Sequence, residues 1–322
     1  MTRVLAFDGG KSHTALAGYV DGRAVARARG PGLAHVAEPG GPRAVREALE
    51  ATVVAAGLDG QRVDAACLGL TGVHAPSQHA ATVLKVLAVA TGAESCGVAS
   101  DVVTTFCGAV GSQPGAVVAG GTGTIALAID ARGATARVDG WGYLLDDAGS
   151  GFRIGQQGLR SALRATDGRG GSERLAQLAT ARYGEPASLT TLVYGSERPA
   201  ETIAAFAVDV ATAAREGDED AQRIWSRAGA ALADALAAAA RRVSLDPQAP
   251  VSWNGGLFDA GDLLVEPFRG RLAALLPGQP LRPPRGNALD GAYRIAVADE
   301  PTLLDPLVQR TPPRASSPPS TG

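Results

Sequence analysis

The chain has 322 residues, too many for one ordinary hydrophobic core, so two domains are expected. It is 45% hydrophobic and 19% charged with a formal net charge of -2, the composition of a globular protein. Its 30 basic residues are scattered and it holds only six Phe and five Tyr, which argues against a nucleic-acid-binding surface. Cys67, Cys96 and Cys107 form an odd set without C-x-x-C spacing, which suits a reducing cytoplasm better than a disulfide framework. No leader-like segment and no apolar run of membrane-spanning length is evident, so a soluble cytoplasmic protein with no membrane partner is expected.

Residues 3–29 read as a β-unit. Val4-Leu5-Ala6-Phe7-Asp8 is a short apolar run that ends in a Gly9-Gly10 turn; residues 14–20 form a second strand, and Asp21-Gly22-Arg23 turns into a third. A loop over 30–35 leads to a helix over about 42–57. Residues 62–70 read as a strand ending at Thr71-Gly72, and a helix follows from about 77 to 91, with Val83, Leu84, Leu87 and Ala88 at helical spacing. Residues 95–100 form a strand ending at Asp101. Sheets of this alternating kind bind ligands beyond the carboxyl ends of their strands, where Asp8, Thr71 and Asp101 all fall.

The first pattern then recurs over 115–138: a strand into Gly120-Gly121, a second strand over 124–129, a turn at Asp130, and a third strand. After it comes the run Gly140-Trp141-Gly142-Tyr143-Leu144-Leu145-Asp146-Asp147-Ala148-Gly149-Ser150-Gly151. Helices are expected near 152–166, 172–183, 199–215 and 219–243. A strand over 250–253 meets Asn254-Gly255-Gly256, a helix covers about 260–276, and 286–299 begins as a turn and ends as a helix. From Glu300 onward the chain is rich in Pro, Ser, Thr and Arg and is expected to be disordered.

The two Gly-Gly turns carry chemistry. Glycine lets backbone N–H groups approach a phosphate with no Cβ in the way, and hydroxyls add donors: Ser12 and Thr14 in the first copy, Thr122 and Thr124 in the second. Only the first copy has an acid, Asp8, at its strand end; an acid beside a phosphate cradle suits Mg²⁺, bound directly or through water. The bland alternative is a pair of ordinary Gly-rich turns. Lys11 and His13 either meet a phosphate oxygen or point to solvent. His74 and His79 lack helix-spaced acidic or Cys partners, so no transition-metal site is expected.

The set Asp8-Gly9-Gly10-Lys11-Ser12-His13-Thr14, Ala119-Gly120-Gly121-Thr122-Gly123-Thr124, Gly140-Trp141-Gly142, Asp147-Ala148-Gly149-Ser150-Gly151 and Asn254-Gly255-Gly256 resembles the N-acetylglucosamine kinase family. That family shares its fold with the BadF/BadG/BcrA/BcrD ATPases, in the actin, hexokinase and heat-shock chaperone superfamily. The resemblance covers about residues 3–298. It implies an α/β fold of two ribonuclease H-like domains with a duplicated β-hairpin core closing on ATP: residues 1–112, residues 113–299, and a disordered tail over 300–322. A homodimer is also implied.

By this resemblance Gly9, Gly10, Lys11, Ser12 and Thr14, with Gly120, Gly121, Thr122, Gly123 and Thr124, grip the phosphates, Asp8 holds Mg²⁺, and Asn254, Gly255 and Gly256 lie against the adenosine. Asp101 is the general base, taking the proton of a sugar hydroxyl as it attacks phosphorus; alternatively it caps the following helix, and the two roles are compatible. His35, Thr71, Gly72, Asp101, Trp141, Gly142, Asp146, Asp147 and Ser150 are the expected sugar contacts. Trp141 is either a stacking face or a core residue, His35 either a contact or a surface residue, and Asp146-Asp147 either sugar-binding or a solvated turn. Two departures stand out: Asp146-Asp147-Ala148 replaces the family's Gly-Asp-Glu, and Ala34-His35 replaces the Asn-His of eukaryotic members.

The leading expectation is an ATP-dependent kinase that phosphorylates the 6-hydroxyl of an amino sugar, N-acetylglucosamine or a relative such as glucosamine. The alternative is an ATPase that energises a partner protein. Such activators hold an iron–sulfur cluster through cysteines in the second half, whereas all three cysteines here precede the second hairpin. A non-catalytic sugar sensor would lack Asp8 or Asp101, and both are present.

Overall fold

In the computed structural model, which describes residues 1–10, 13–34 and 36–312, the chain divides into two units: Met1–Ser112 with Gly286–Gly322, and Gln113–Arg285. Lys11, Ser12, His35 and 313–322 lie outside the described residues. No helix among the described residues is long and apolar enough to cross a membrane.

The first unit begins with β1 (Arg3–Gly9), β2 (His13–Val20) and β3 (Arg23–Pro31), an antiparallel meander. β1 is buried along Val4–Phe7, as befits a continuous apolar run at the centre of a sheet covered on both faces. β3 is half-exposed and carries Arg23, Arg27 and Arg29, the charged dressing of an edge strand. α1 (Gly41–Ala55) buries Val45, Leu49 and Val53, four residues apart, and leads to β4 (Ala65–Leu70), parallel to β1. α2 (Gln78–Thr91) starts at Ser77, whose hydroxyl accepts the Ala80 N–H at 3.1 Å, and ends at Gly92 with φ 64°. β5 (Ser95–Ser100) then pairs parallel to β4 and runs into α3 (Asp101–Ala109). Leu5, Phe7, Leu49, Leu68 and Leu87 belong to the core on the α1 and α2 side of this sheet.

The second unit repeats the plan with β6 (Gly115–Gly120), β7 (Thr124–Ile129) and β8 (Thr135–Asp139). A helical layer follows: α4 (Gly151–Thr166), α5 (Glu173–Tyr183), α6 (Pro186–Tyr194), α7 (Pro199–Ala204), α8 (Ala207–Arg215) and α9 (Glu219–Arg242). β9 (Val251–Asn254) lies parallel to β6, and α10 (Asp262–Leu275) packs on α9. The core gathers Val118, Ile154, Phe206, Leu232, Leu236 and Phe268. Two expectations change here. α6 went unread because only Leu189 of its nine residues is buried, leaving little periodic signal. The helix expected over 199–215 breaks after Ala204; the end of α7 comes so close to α4 that a Cβ at Gly155 would collide with the Ile203 carbonyl.

The chain then returns to the first unit with α11 (Ala288–Ala296) and β10 (Val308–Arg310), which corrects the expected domain ends. Residues 286–299 do not belong to the second half. α11 opens with a capping box between Asn287 and Asp290 and crosses α3 at two glycines; a Cβ at Gly108 would strike the Asn287 carbonyl, and one at Gly291 the Thr104 carbonyl. Nor is the stretch to residue 312 disordered. β10 pairs antiparallel with β5, Thr311 Oγ1 accepts the Cys96 N–H at 3.1 Å, and Arg310 donates to the Ile295 carbonyl at 2.9 Å. Three paired residues amid prolines leave no readable period, so the sequence hid this strand. The sheets therefore run β10-β5-β4-β1-β2-β3 and β8-β7-β6-β9, the duplicated α/β plan expected from the sequence.

Candidate active site

In the first unit, register aligns Asp8 with Gly69 on β4 and Gly69 with Ala99 on β5. Two residues further along these strands stand Thr71 and Asp101. Thr71 Oγ1 donates to Asp101 Oδ2 at 2.7 Å, and the Val102 N–H donates to Oδ1 at 2.8 Å. Ser100 occupies the N-cap position of α3, so Asp101 is not the cap; it sits in the first turn, where the helix dipole favours a carboxylate. Asp8 is partly buried at the end of β1. Burial first, and the Asp101 charge second, push its carboxyl up to about 6.

This donor set fits Mg²⁺: the two carboxylates stand at the same end of the sheet, the charge of Asp101 opposes ionisation of Asp8, and hard oxygen ligands suit a hard cation. No cluster of three metal-ligating side chains occurs among the described residues. An ion held mainly by water and phosphate oxygens needs none.

Beside Thr71 lies an open pocket whose walls are Leu33, Val36, Leu70 and Val73, with Ala34 and Gly72 also lining it. The neighbouring hairpin is tightly seated: a Cβ at Gly9 would lie 2.6 Å from Leu33 Cδ1, and the Gly10 N–H closes the turn on the His13 carbonyl at 3.0 Å. Thr14 departs from its expected phosphate role. It is fully buried and donates to the Pro31 carbonyl at 2.7 Å, because its position opposite Gly9 turns the hydroxyl toward β3.

In the second unit the hairpin tip, Gly121 and Thr122, is exposed. The Gly121 N–H bonds the Gly123 carbonyl at 2.9 Å, while the first N–H groups of α4, Gly151 and Phe152, bond the Gly121 and Thr122 carbonyls at 2.8 and 3.2 Å. Gly255, at φ 102°, lies against the Gly120 backbone where any Cβ would collide. The structure thus brings Asn254, Gly255 and Gly256 beside this hairpin. Thr124 is buried, and its hydroxyl has no hydrogen-bond partner among the described residues.

The loop after β8 separates its expected residues into two sets. Trp141 is 68% exposed with the Arg137 guanidinium 5.8 Å from its ring centroid, which rules out core packing; Gly142 and Asp146 are exposed with it. Asp147 points inward instead. It is buried at φ 66°, its carboxylate lies under the hairpin against Gly123, and burial holds the carboxyl above its usual range. Ser150 is fully buried as the N-cap of α4, accepting the Arg153 N–H at 3.2 Å. Both therefore serve the scaffold, correcting their expected place against the sugar.

One residue escaped the sequence reading. Asp139, buried at φ 63°, accepts the N–H groups of Gly140, Asp147 and Ala148 at 2.8, 3.0 and 3.1 Å. The Asp139-Gly140 pair at a strand end is a turn signal that marks it.

A family model described as the BadF/BadG/BcrA/BcrD ATPase family matches residues 8–276. The chain belongs to this family. Membership carries the use of ATP, and the matched span holds Asp8, Asp101, both hairpins and the Asn254 turn. The chain is 27% identical over 205 residues to an N-acetylmuramic acid/N-acetylglucosamine kinase of Clostridium acetobutylicum, covering 63% of this chain and 67% of that one. It is 29% identical over 170 residues to an N-acetyl-D-glucosamine kinase of Dictyostelium discoideum, covering 51% of this chain and about half, 53%, of that one. A crystal structure of a candidate N-acetylglucosamine kinase from Chromobacterium violaceum is 32% identical with a TM-score of 0.70, over 91% of this chain and 98% of that one.

Proposed function

We propose that this family member is an ATP-dependent amino-sugar kinase that transfers the γ-phosphoryl group to the 6-hydroxyl of N-acetylglucosamine or a closely related hexosamine. One observation carries the reading: Asp101, fixed by Thr71 and the Val102 N–H at the carboxyl end of the first sheet, has the form of a general base. An ATPase that merely drives a partner needs no base aimed at an acceptor alcohol. The similarity to amino-sugar kinases supports the acceptor class.

In this reading the acceptor hydroxyl gives its proton to a carboxylate oxygen of Asp101 as its oxygen bonds to phosphorus. Thr71 occupies one oxygen of Asp101 with a hydrogen bond and so fixes which lone pair faces the acceptor. Trp141 and Asp146 offer an aromatic face and a carboxylate to the sugar ring and its hydroxyls. The turns at Gly9-Gly10 and at Gly121–Thr122 each offer phosphate a close backbone approach, and Asn254-Gly255-Gly256 a flat one to the nucleoside. Asp8 would hold Mg²⁺, which when bound offsets the negative charge of the phosphates.

A coupled ADP-release assay over N-acetylglucosamine, glucosamine, N-acetylmannosamine, N-acetylmuramic acid and glucose tests this. The expected result is ADP release that depends on an amino sugar, with N-acetylglucosamine foremost. Release that no sugar alters would overturn the kinase reading in favour of the partner-coupled ATPase.

A further inference from the structure

We infer that Asp139 and Asp147 are a positioning pair that ties the loop carrying Trp141 and Asp146 to the phosphate hairpin at Gly123-Thr124, so that acceptor and nucleotide each raise the other's affinity. The inference rests on the kinase reading for the identity of those two ligands.

The connection is a closed ring of hydrogen bonds and one close contact within the second unit. On the hairpin side, the Asp147 carboxylate lies directly under Gly123. Asp139 holds the backbone of Gly140, Asp147 and Ala148, gripping both ends of the loop with one side chain. The ring closes on the far side: the Ser150 N–H bonds the Asp147 carbonyl at 3.2 Å, Ser150 caps α4, and α4 donates its first N–H groups to the hairpin carbonyls of Gly121 and Thr122. Every link is a backbone group, a two-torsion carboxylate or the short Ser150 side chain. A displacement of the loop therefore has no slack in which to dissipate before it reaches the hairpin.

Steric and backbone facts point the same way. A Cβ at Gly123 would lie 2.8 Å from Asp147 Oδ2, so the carboxylate fills the space under the hairpin tip. Asp139 and Asp147 are two of the four non-glycine residues at positive φ among those described. Such backbone is unfavourable for a side-chain-bearing residue, and outliers of this kind gather where geometry serves function. Both carboxyls are buried, which also opposes their charged forms. The outward side of the same loop presents Trp141 and Asp146, whose contacts with a ligand would be transmitted through this ring.

The test is calorimetric titration of the full chain with AMPPNP and Mg²⁺, with and without saturating N-acetylglucosamine. Wild type should bind AMPPNP about tenfold more tightly with the sugar, the middle of the usual range of coupling. Asp139→Asn and Asp147→Asn keep a residue that tolerates positive φ, yet each replaces an accepting oxygen with a donor. They should bring the ratio near one while the melting temperature shifts by only a few degrees. Gly123→Ala, which pushes on the same carboxylate from the hairpin side, should do likewise and serves if either Asp variant fails to fold. Variants that keep the tenfold ratio and lose only thermal stability would overturn the pair's role. A wild type whose AMPPNP affinity ignores the sugar also overturns the coupling; the kinase reading falls separately, only if ADP release ignores the sugars as well.

Discussion

The two hairpin meanders share one plan and differ in where they put their acids. Strand order is the same, β3-β2-β1-β4 and β8-β7-β6-β9, and Gly9 opposite Thr14 corresponds to Gly120 opposite Thr124. One residue earlier the copies diverge: Asp8 stands opposite Ala15 in the first, Ala119 opposite Ile125 in the second. The first unit thus leaves carboxylates at its strand ends, with Asp101 taking the Thr71 and Ser100 hydroxyls and the Val102 N–H, and Asp8 raised by burial. The second turns Asp139 inward onto three backbone N–H groups and packs the Asp147 carboxylate against Gly123. A buried carboxylate folded onto its own loop holds structure; one left less buried at a strand end can take a proton or a metal ion. Duplicating a fold does not duplicate its chemistry.

The largest test of this division is Asp101→Asn. It should lower kcat by about 10²–10⁴-fold while AMPPNP affinity stays unchanged, and a near-normal rate would remove the base from the first unit. Next comes Asp8→Asn. Because the folded state raises this carboxyl to about 6, the stability it contributes is fully present below its ordinary value of 3.8 and is lost as pH rises through about 6. Asp8→Asn should therefore raise the melting temperature at pH 7–8 while abolishing most MgATP turnover. In the wild type, turnover at limiting MgATP should fall as pH drops through about 6, and higher Mg²⁺ should move that limb to lower pH. An unmoved limb would deny Asp8 its metal role.

Smaller effects sharpen the contrast. Trp141→Ala should raise the acceptor KM about tenfold, equivalent to about 1.4 kcal/mol, with almost no change in melting temperature because the ring is exposed. Thr14→Val should do the reverse: a loss of about 1 kcal/mol in denaturant unfolding from the missing bond to Pro31, and an unchanged KM for ATP.

The sequence made legible whatever burial and caps write locally. The apolar runs ending in Gly9-Gly10 and Gly120-Gly121, the Ser77 start of α2, and Asp101 at the end of β5 were all readable, since each obeys a short-range rule. The direction a side chain takes was not. Asp146 and Asp147 are equivalent as text, and only the left-handed backbone at Asp147 sends one inward and leaves the other outside. Thr14 looked like a phosphate donor until β3 was in place to accept its hydrogen. Asp139 escaped because its three bonds all go to a loop whose path is set by tertiary packing, and β10 escaped because three residues are too few to show a period.

The glycine crossing of α3 and α11 has a consequence for the order in which the molecule is made. Residues 113–285 are contiguous and can complete their core as soon as they leave the ribosome, whereas the first unit waits for segments synthesised after them. Until α11 arrives, the Thr104 and Gly108 face of the helix that begins with Asp101 is bare, and until β10 arrives so is the outer edge of β5. The unit that carries Asp101, begun first, is thereby finished last, so a nascent chain holds a completed second unit before that carboxylate is locked in place.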